Sequence, residues 1–300
     1  MVGTLHNTDE ITETPCTVSI IIPNWNGGGV LEECLESILE HTRGVDFELI
    51  LIDNGSSDES RHTIEEFAAH DRRVTALLND DNLFFAKACN QGYEISRGRY
   101  LLVANNDILL TDDAVSNLVN YADSHPDVGV VTPLLVDLEG DFQELYRRLP
   151  TALTIIAYYH RFGRAVDRIL LGRRLQDDYL YRDLKFGDVE QIEQPGASFS
   201  LIRRDLIADL GILFDEAFPL LFNDVDLARR IKAEGSISVV VPEIRVVHLG
   251  GVSSEKMDPK IYQRFQFDAI FTYFRMNHPM QYPLLCFAWP FRWWSSRFRR

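Results

Sequence analysis

The stretch Arg99-Tyr-Leu-Leu-Val-Ala-Asn-Asn-Asp107 organises the chain. Its apolar run, 100–104, predicts a buried strand. The run ends in Asn105-Asn106-Asp107 and resumes as Ile108-Leu109-Leu110. A carboxylate set between two apolar runs is costly to bury unless a cation or a hydrogen-bond network holds it. In an open α/β sheet, ligands bind just beyond the carboxyl ends of the strands, which is where Asp107 falls. A plain turn is the competing reading, since Asn and Asp favour turns.

Upstream, 18–22 reads as a short apolar strand stopped by Pro23. Asn24-Trp-Asn-Gly-Gly-Gly29 follows as a flexible turn, and 30–41 shows helical spacing through Leu31, Cys34, Leu35, Ile38 and Leu39. Strand, glycine loop and helix invite a dinucleotide-binding reading. The fingerprint G-x-G-x-x-G is not met, however, because Glu32 stands where its last glycine belongs. A second strand, 47–52, ends in Asp53-Asn-Gly-Ser-Ser-Asp58, and a helix is predicted from Asp58, a good N-cap, to about His70. Further strands at 74–78 and 128–135 alternate with helices at 84–96 and 112–124. This alternation predicts an α/β fold: a Rossmann-like, mostly parallel central sheet flanked by helices. The first half, 17–135, is then of nucleotide-binding type, with polar loops at the strand ends.

The middle, 136–193, is irregular and rich in Arg and Tyr. Residues 151–171 read as one helix whose apolar residues cover more than one face. A buried or partly buried helix is the plainer reading, and a surface that meets lipid or a hydrophobic acceptor the sharper one. A strand is expected at 195–202 and a short helix at 204–210. Asn223-Asp-Val-Asp226 opens a helix that ends before Gly235, a fitting C′ glycine. A strand at 237–241 precedes Pro242, and Arg245-Val-Val-His248 runs into Leu249-Gly-Gly251. Residues 259–278 look helical. The expected organisation is a flexible leader (1–16), a two-part domain (17–135 and 136–255) and a helical, aromatic and basic C-terminal tail (256–300).

The net charge of -15 argues against a general nucleic-acid binder. The positive charge is uneven, with one arginine cluster at 147–174 and another at 292–300. The tail therefore fits an interfacial anchor. The scattered cysteines (Cys16, Cys34, Cys89, Cys286) form no C-x-x-C pair, and three of them read as buried thiols in a reducing compartment. The opening residues have neither a basic start nor an apolar stretch, so no signal peptide is expected. No apolar run reaches the roughly 18 residues a membrane span needs. The expected location is the cytoplasm, with the inner face of the cell membrane as a site of contact.

Acids recur at predicted strand and loop ends: Asp53, Asp58, Asp107, Asp224 and Asp226, with His248 after a late strand. Such a set suits transfer from an activated diphosphate, in which a divalent cation neutralises the leaving group and a carboxylate accepts a proton. Each residue alone has a plainer reading. Asp53 and Asp58 could close a turn and cap a helix, Asn223 could be an N-cap with Asp226 at N3, and His248 could be structural. Their joint occurrence, in order, favours the site.

In that order the sequence resembles a family 2 glycosyltransferase with the GT-A fold. Val18-Ser-Ile-Ile-Ile-Pro-Asn-Trp-Asn26 resembles the opening strand motif, and Leu51-Ile-Asp-Asn-Gly-Ser-Ser-Asp58 the nucleoside-binding loop. Residues 82–92 resemble the segment N-x-G-F-A-x-A-x-N-x-G, with Phe84 where glycine is usual. Asn105-Asn106-Asp107 takes the place of the D-x-D metal motif. Gly196-Ala-Ser-Phe-Ser-Leu-Ile-Arg-Arg204 resembles the acceptor-side strand, Asn223-Asp-Val-Asp226 the E-D-x-D motif, and His248-Leu-Gly-Gly-Val-Ser-Ser254 the histidine motif.

The resemblance implies an inverting, metal-dependent transferase. Asp224 is its catalytic base, and Asp107 and His248 hold Mg²⁺ or Mn²⁺. Nucleotide contacts fall to Pro23, Asn24, Asn26, Asp53, Asn54, Asp58, Asn82, Lys87 and Asn106, with Asp53 accepting the base N3–H. Acceptor contacts fall to Gly196, Ala197, Asn223 and Asp226. The partners are then a nucleotide-sugar donor, a glycan or lipid-linked acceptor, and membrane through the tail. Phe222-Asn-Asp-Val-Asp226 looks like the rhamnosyltransferase branch, which makes dTDP-rhamnose, or else a UDP-sugar, the expected donor. The rival readings are a nucleotidyltransferase, disfavoured because 24–29 holds no Lys or Arg for a triphosphate, and a non-catalytic sugar- or nucleotide-binding relative.

Overall fold

A computed structural model describes the backbone of residues 3–5, together with residues 16–251 and 256–289. The strands are β1 (Gly3–Leu5), β2 (Val18–Asn24), β3 (Phe47–Asn54), β4 (Val74–Asn79), β5 (Tyr100–Ala104), β6 (Ile108–Leu109), β7 (Val128–Val136), β8 (Glu190–Ile192), β9 (Phe199–Arg203) and β10 (Ile237–His248). They form one sheet in the order β1-β4-β3-β2-β5-β9-β7-β10-β6, with β8 also paired to β10. Pairing makes β2, β3, β4 and β5 parallel to one another, and β7 parallel to β10. Through β9, antiparallel to both β5 and β7, all six of these strands run the same way. The central sheet is thus mostly parallel, and the reversed strands are short.

Alternation along β2 explains the layering. Ile20 and Ile22 face a core shared with α1 (Gly29–His41), α2 (Ser60–His70) and α4 (Ala114–Ser124). Ile21 faces a second core, shared with α3 (Phe84–Ile95), α8 (Arg204–Leu210) and α9 (Asn223–Ala233). A sheet buried on both faces needs apolar residues at successive positions, which is why these strands read as continuous runs.

Several boundaries differ from the sequence reading. Pro23 does not stop β2: pairing to β5 ends at Ile21, while pairing to β3 runs on through Pro23 and Asn24. The proline lies where the strand has lost one neighbour, a position that tolerates its missing N–H. Helix α2 begins two residues after Asp58, whose Oδ1 accepts from the Ser60 N–H at 3.1 Å. Strand β9 starts at Phe199, later than expected, and β10 is continuous to His248, with a register shift between Val241 and Arg245 that absorbs Pro242. Part of the expected leader is ordered, since Gly3–Leu5 pairs with β4.

The single helix expected at 151–171 is instead α5 (Ala152–Tyr159) and α6 (Arg161–Leu170), followed by α7 (Arg174–Tyr179). The break falls at His160, which is extended and whose imidazole accepts from the Gly163 N–H at 3.3 Å. Only α5 is substantially buried. Helix α10 (Pro259–Asn277) buries Phe267, Ile270, Tyr273 and Phe274 against Phe218, Phe222 and Ile155, and α11 (Tyr282–Ala288) adds Leu285. The first part of the expected tail is therefore built into the fold, and 290–300 lie outside the described residues. Cys34 and Cys89 are buried and their thiols are pushed up by burial, Cys34 to about 12, while Cys16 and Cys286 are half-buried.

Candidate active site

A cleft of about 470 Å³ opens at the carboxyl ends of β2, β3 and β5. Its position follows from the chain reversal after β5. Asn105, whose N–H donates to the Ser198 carbonyl, begins a turn that leads into β6. Strand β6 pairs antiparallel with the end of β10, placing Ile108 opposite His248, and the Leu249 N–H donates to the Asp107 carbonyl. This short ladder brings two residues far apart in sequence to 3.3 Å, Asp107 Oδ1 to His248 Nε2.

The histidine's tautomer follows from its neighbour Gln143. The Gln143 Nε2 donates to the His248 carbonyl at 2.6 Å, and a carbonyl can only accept. The Gln143 Oε1 therefore faces His248 Nδ1, 2.8 Å away, and Nδ1 must be the donor. In the neutral imidazole this leaves a lone pair on Nε2, on the side of Asp107. Asp107 Oδ1 is buried and accepts no hydrogen bond. Nε2 also has the Asn105 Nδ2 donor at 3.3 Å, which a cation would displace. A carboxylate oxygen without a hydrogen bond, beside an imidazole nitrogen, fits a divalent cation whose other ligands come from a diphosphate and water. Among the described residues no third His, Cys, Asp or Glu joins them.

Asp224 stands at the second position of α9, where the helix N-terminus favours negative charge. Its Oδ2 accepts from Gln194 Nε2 at 2.8 Å and its Oδ1 from the Val225 N–H at 2.9 Å. Burial pushes this carboxyl above the usual aspartate range, against the lowering effect of these bonds and of the Arg147 charge. Gln194 is held in turn by paired backbone hydrogen bonds with Arg147. The Asn223 side chain bonds the Leu220 carbonyl and the Asp224 N–H, and Phe222, not Asn223, is the N-cap.

On the other side of the cleft, Asn106 Nδ2 donates to Asn24 Oδ1 at 2.6 Å, tying the end of β2 to the turn after β5. Asn54 Nδ2 donates to the Phe84 carbonyl at 3.3 Å, and Asn82 accepts from the Phe84 N–H at 2.8 Å. These bonds hold Phe84 at φ 65°, a left-handed conformation that glycine adopts freely and phenylalanine does not. The ring is packed on Phe265, with centroids 4.8 Å apart. Phe222, between the cleft-lining Leu221 and Asn223, is also left-handed (φ 67°).

Pro23, Asn24, Asn54, Asn82, Asn106, Asp107, Ala197, Asn223, Asp224 and His248 all line the cleft. Others do not. Asp53 is fully buried beneath the loop after β3, its Oδ2 accepting from the Ser56 N–H and its Oδ1 unpartnered. Asn26 accepts from the Ser57 N–H, Asp58 binds the start of α2, and Lys87 is exposed on α3. Gly196 lies behind the cleft, with its carbonyl bonded to Ser200 Oγ. Asp226 points away, clasped by Arg229 at 3.0 Å and Arg230 at 2.7 Å, and Arg230 also ties down the Ile212 and Leu213 carbonyls. Gln143, Gln194 and the cleft-lining Tyr262 were not singled out from sequence; the two glutamines lie outside any periodic pattern, and Tyr262 lies in the helix expected at 259–278.

The model of the family described as glycosyl transferase family 2 matches residues 19–210. The chain belongs to that family. The family 2 match spans β2 to α8 and so includes Asp53 and Asp107, but stops before Asp224 and His248. This family 2 chain is 32% identical over 101 residues to the glycosyltransferase GlyG of Streptococcus pneumoniae, covering 34% of this chain and 33% of GlyG. It is 28% identical over 236 residues to the O-antigen biosynthesis protein RfbC of Myxococcus xanthus, covering 77% of this chain and 17% of RfbC. It thus spans a third or less of either relative. Among solved structures it is similar to the mannosyltransferase PcManGT of Pyrobaculum calidifontis, in complex with GDP-Man and Mn²⁺ (TM-score 0.53, 16% identity, 92% of this chain and 74% of that one). At that identity the likeness concerns the fold, which is of the GT-A type.

Proposed function

We propose that the chain transfers a sugar from a nucleotide sugar to a hydroxyl of a glycan or lipid-linked acceptor, with inversion at the anomeric carbon. The observation that carries this reading is that Asp224, a carboxylate raised by burial, opens on the same cleft as His248 and Asp107, whose Oδ1 accepts no hydrogen bond. The acceptor oxygen attacks the anomeric carbon as Asp224 Oδ takes its proton. The bond from that carbon to the diphosphate oxygen breaks, and its electron pair leaves with the nucleoside diphosphate. Asp107 and His248 would hold Mg²⁺ or Mn²⁺, which supplies charge neutralisation to the leaving diphosphate. Gln143 fixes the His248 ring, and Gln194 orients Asp224.

The half comprising 17–135 takes the nucleotide and 136–255 the acceptor, at Ala197 and Asn223 on the cleft wall. For Asp53 to accept a base N–H, the covering loop after β3 must open, because its carboxylate is sealed in. The Phe222-Asn-Asp-Val-Asp226 variant supports dTDP-rhamnose as the first donor to try, with UDP-sugars next. Release of nucleoside diphosphate from a panel of dTDP-, UDP- and GDP-sugars with Mn²⁺ tests the reading. Turnover of one donor, abolished by EDTA, is expected. A folded protein that turns over none of them, with or without candidate acceptors, would favour a non-catalytic binding role.

A further inference from the structure

Helix α6 has an unusual polarity for a surface helix. Its inward, buried side chain is Asp167, whose carboxylate accepts from the Leu175 N–H, the Gln176 N–H and Gln176 Nε2 at 3.0–3.2 Å. Its large apolar residues point outward, with Phe162 72%, Ile169 77% and Leu170 73% exposed. At about 100° per residue, Phe162, Val166 and Ile169 form one row, and Arg161, Arg164 and Arg168 a second, about 130° round the helix from it. A carboxylate thus anchors the helix, while its apolar row is exposed among the described residues.

We infer that α6 docks this protein on an anionic lipid surface. Charge selects the occupant. The chain carries a net charge of -15, yet 161–174 hold five arginines against the single, buried Asp167. A helix with an apolar row on one face and a basic row on another is able to lie in the headgroup region of an anionic membrane. A second copy would bring two arginine rows together. The apolar surface continues onto α11, where the Trp289 ring meets the His160 ring edge-on at 5.1 Å and Phe287 is 89% exposed. Docking does not depend on the transferase reading.

The test is flotation of the full chain with phosphatidylcholine vesicles, with and without roughly 30 mol% phosphatidylglycerol. Flotation with the anionic vesicles alone is expected, weakened by high salt. The Phe162→Glu/Ile169→Glu variant is expected to lower the partition coefficient about tenfold or more, with nucleoside diphosphate binding by calorimetry unchanged as evidence that the cleft is intact. Absence of flotation by the wild-type chain would overturn the inference. So would undiminished flotation of the variant, which would assign binding elsewhere, for instance to 290–300. Lipid-free self-association that the variant abolishes would assign the face to a second copy. Loss of flotation with nucleotide binding retained would separate this surface from the cleft.

Discussion

A base at Asp224 must be ionised to accept a proton, yet its surroundings favour the neutral acid. Two opposite effects are expected from Asp224→Asn. Turnover falls by at least about 100-fold, the usual contribution of a general base, while nucleotide binding persists. Stability moves the other way. A carboxyl raised in the folded state stabilises most below its unfolded value, near about 3.9, and that contribution is lost as pH rises through the folded value. The variant should therefore melt above the wild type at pH 8, with the difference vanishing toward pH 3.5, as thermal scans across pH would check. By the same sign, kcat/KM should rise with pH along an acid limb displaced above the ordinary aspartate range. Gln143→Ala removes the partner of His248 Nδ1, and about tenfold weaker Mn²⁺ binding in the presence of nucleoside diphosphate is expected by calorimetry. Asp107, Asp224 and His248 were legible as candidates because a polar side chain at a strand or helix end is conspicuous among apolar neighbours. Gln143 and Gln194 were not, because an amide in an irregular segment gains its role only from tertiary contact.

Elements of two or three residues place the site, and these are the ones a sequence pattern hides. Strand β6 has two residues, too few for any alternation, yet its pairing with β10 sets Asp107 against His248. The six long strands, by contrast, were legible as apolar runs, as were the helices on either face. The error at 151–171 has a physical source: the apolar pattern is continuous, and the break depends on one histidine capping the next helix. Gly27 shows a constraint that composition alone leaves open. A Cβ there would sit 2.4 Å from Asn24 Oδ1 and 2.8 Å from Asn106 Nδ2, the two atoms whose hydrogen bond joins β2 to the turn after β5. Gly27→Ala is expected to destabilise by about 1–3 kcal/mol and to weaken nucleotide binding, measurable by urea denaturation and calorimetry. Unchanged values for both would mean that this bond does not shape the cleft.

Across the whole molecule, polar networks separate stability from chemistry. At the end of the sheet opposite the cleft, buried Glu48 accepts from Ser19 Oγ and the Arg97 N–H at 2.6 Å and pairs with the Arg97 guanidinium at 2.7 Å. Burial pushes this carboxyl up, but the Ser19 and Arg97 bonds and the Arg97 charge overcome it and hold it below the usual glutamate range. Stability from such a group is present above the unfolded value, near about 4.3, and is lost as pH falls through the folded value. Glu48→Gln should cost about 1–3 kcal/mol at pH 7, less at pH 3.5, and leave nucleotide binding intact. The cleft has the reverse character, with the buried Asp107 Oδ1 in its wall left without a hydrogen bond. The central claim is that Asp107 and His248 together receive a cation and a nucleoside diphosphate. Titration calorimetry of dTDP, UDP and GDP, each with Mn²⁺ and then with EDTA, on wild type, Asp107→Ala and Glu48→Gln, tests it most directly. The account expects Mn²⁺-dependent binding of a pyrimidine diphosphate, lost in Asp107→Ala and kept in Glu48→Gln. Binding that ignores both EDTA and the Asp107 substitution would contradict it and return Asp107 to the role of a turn residue.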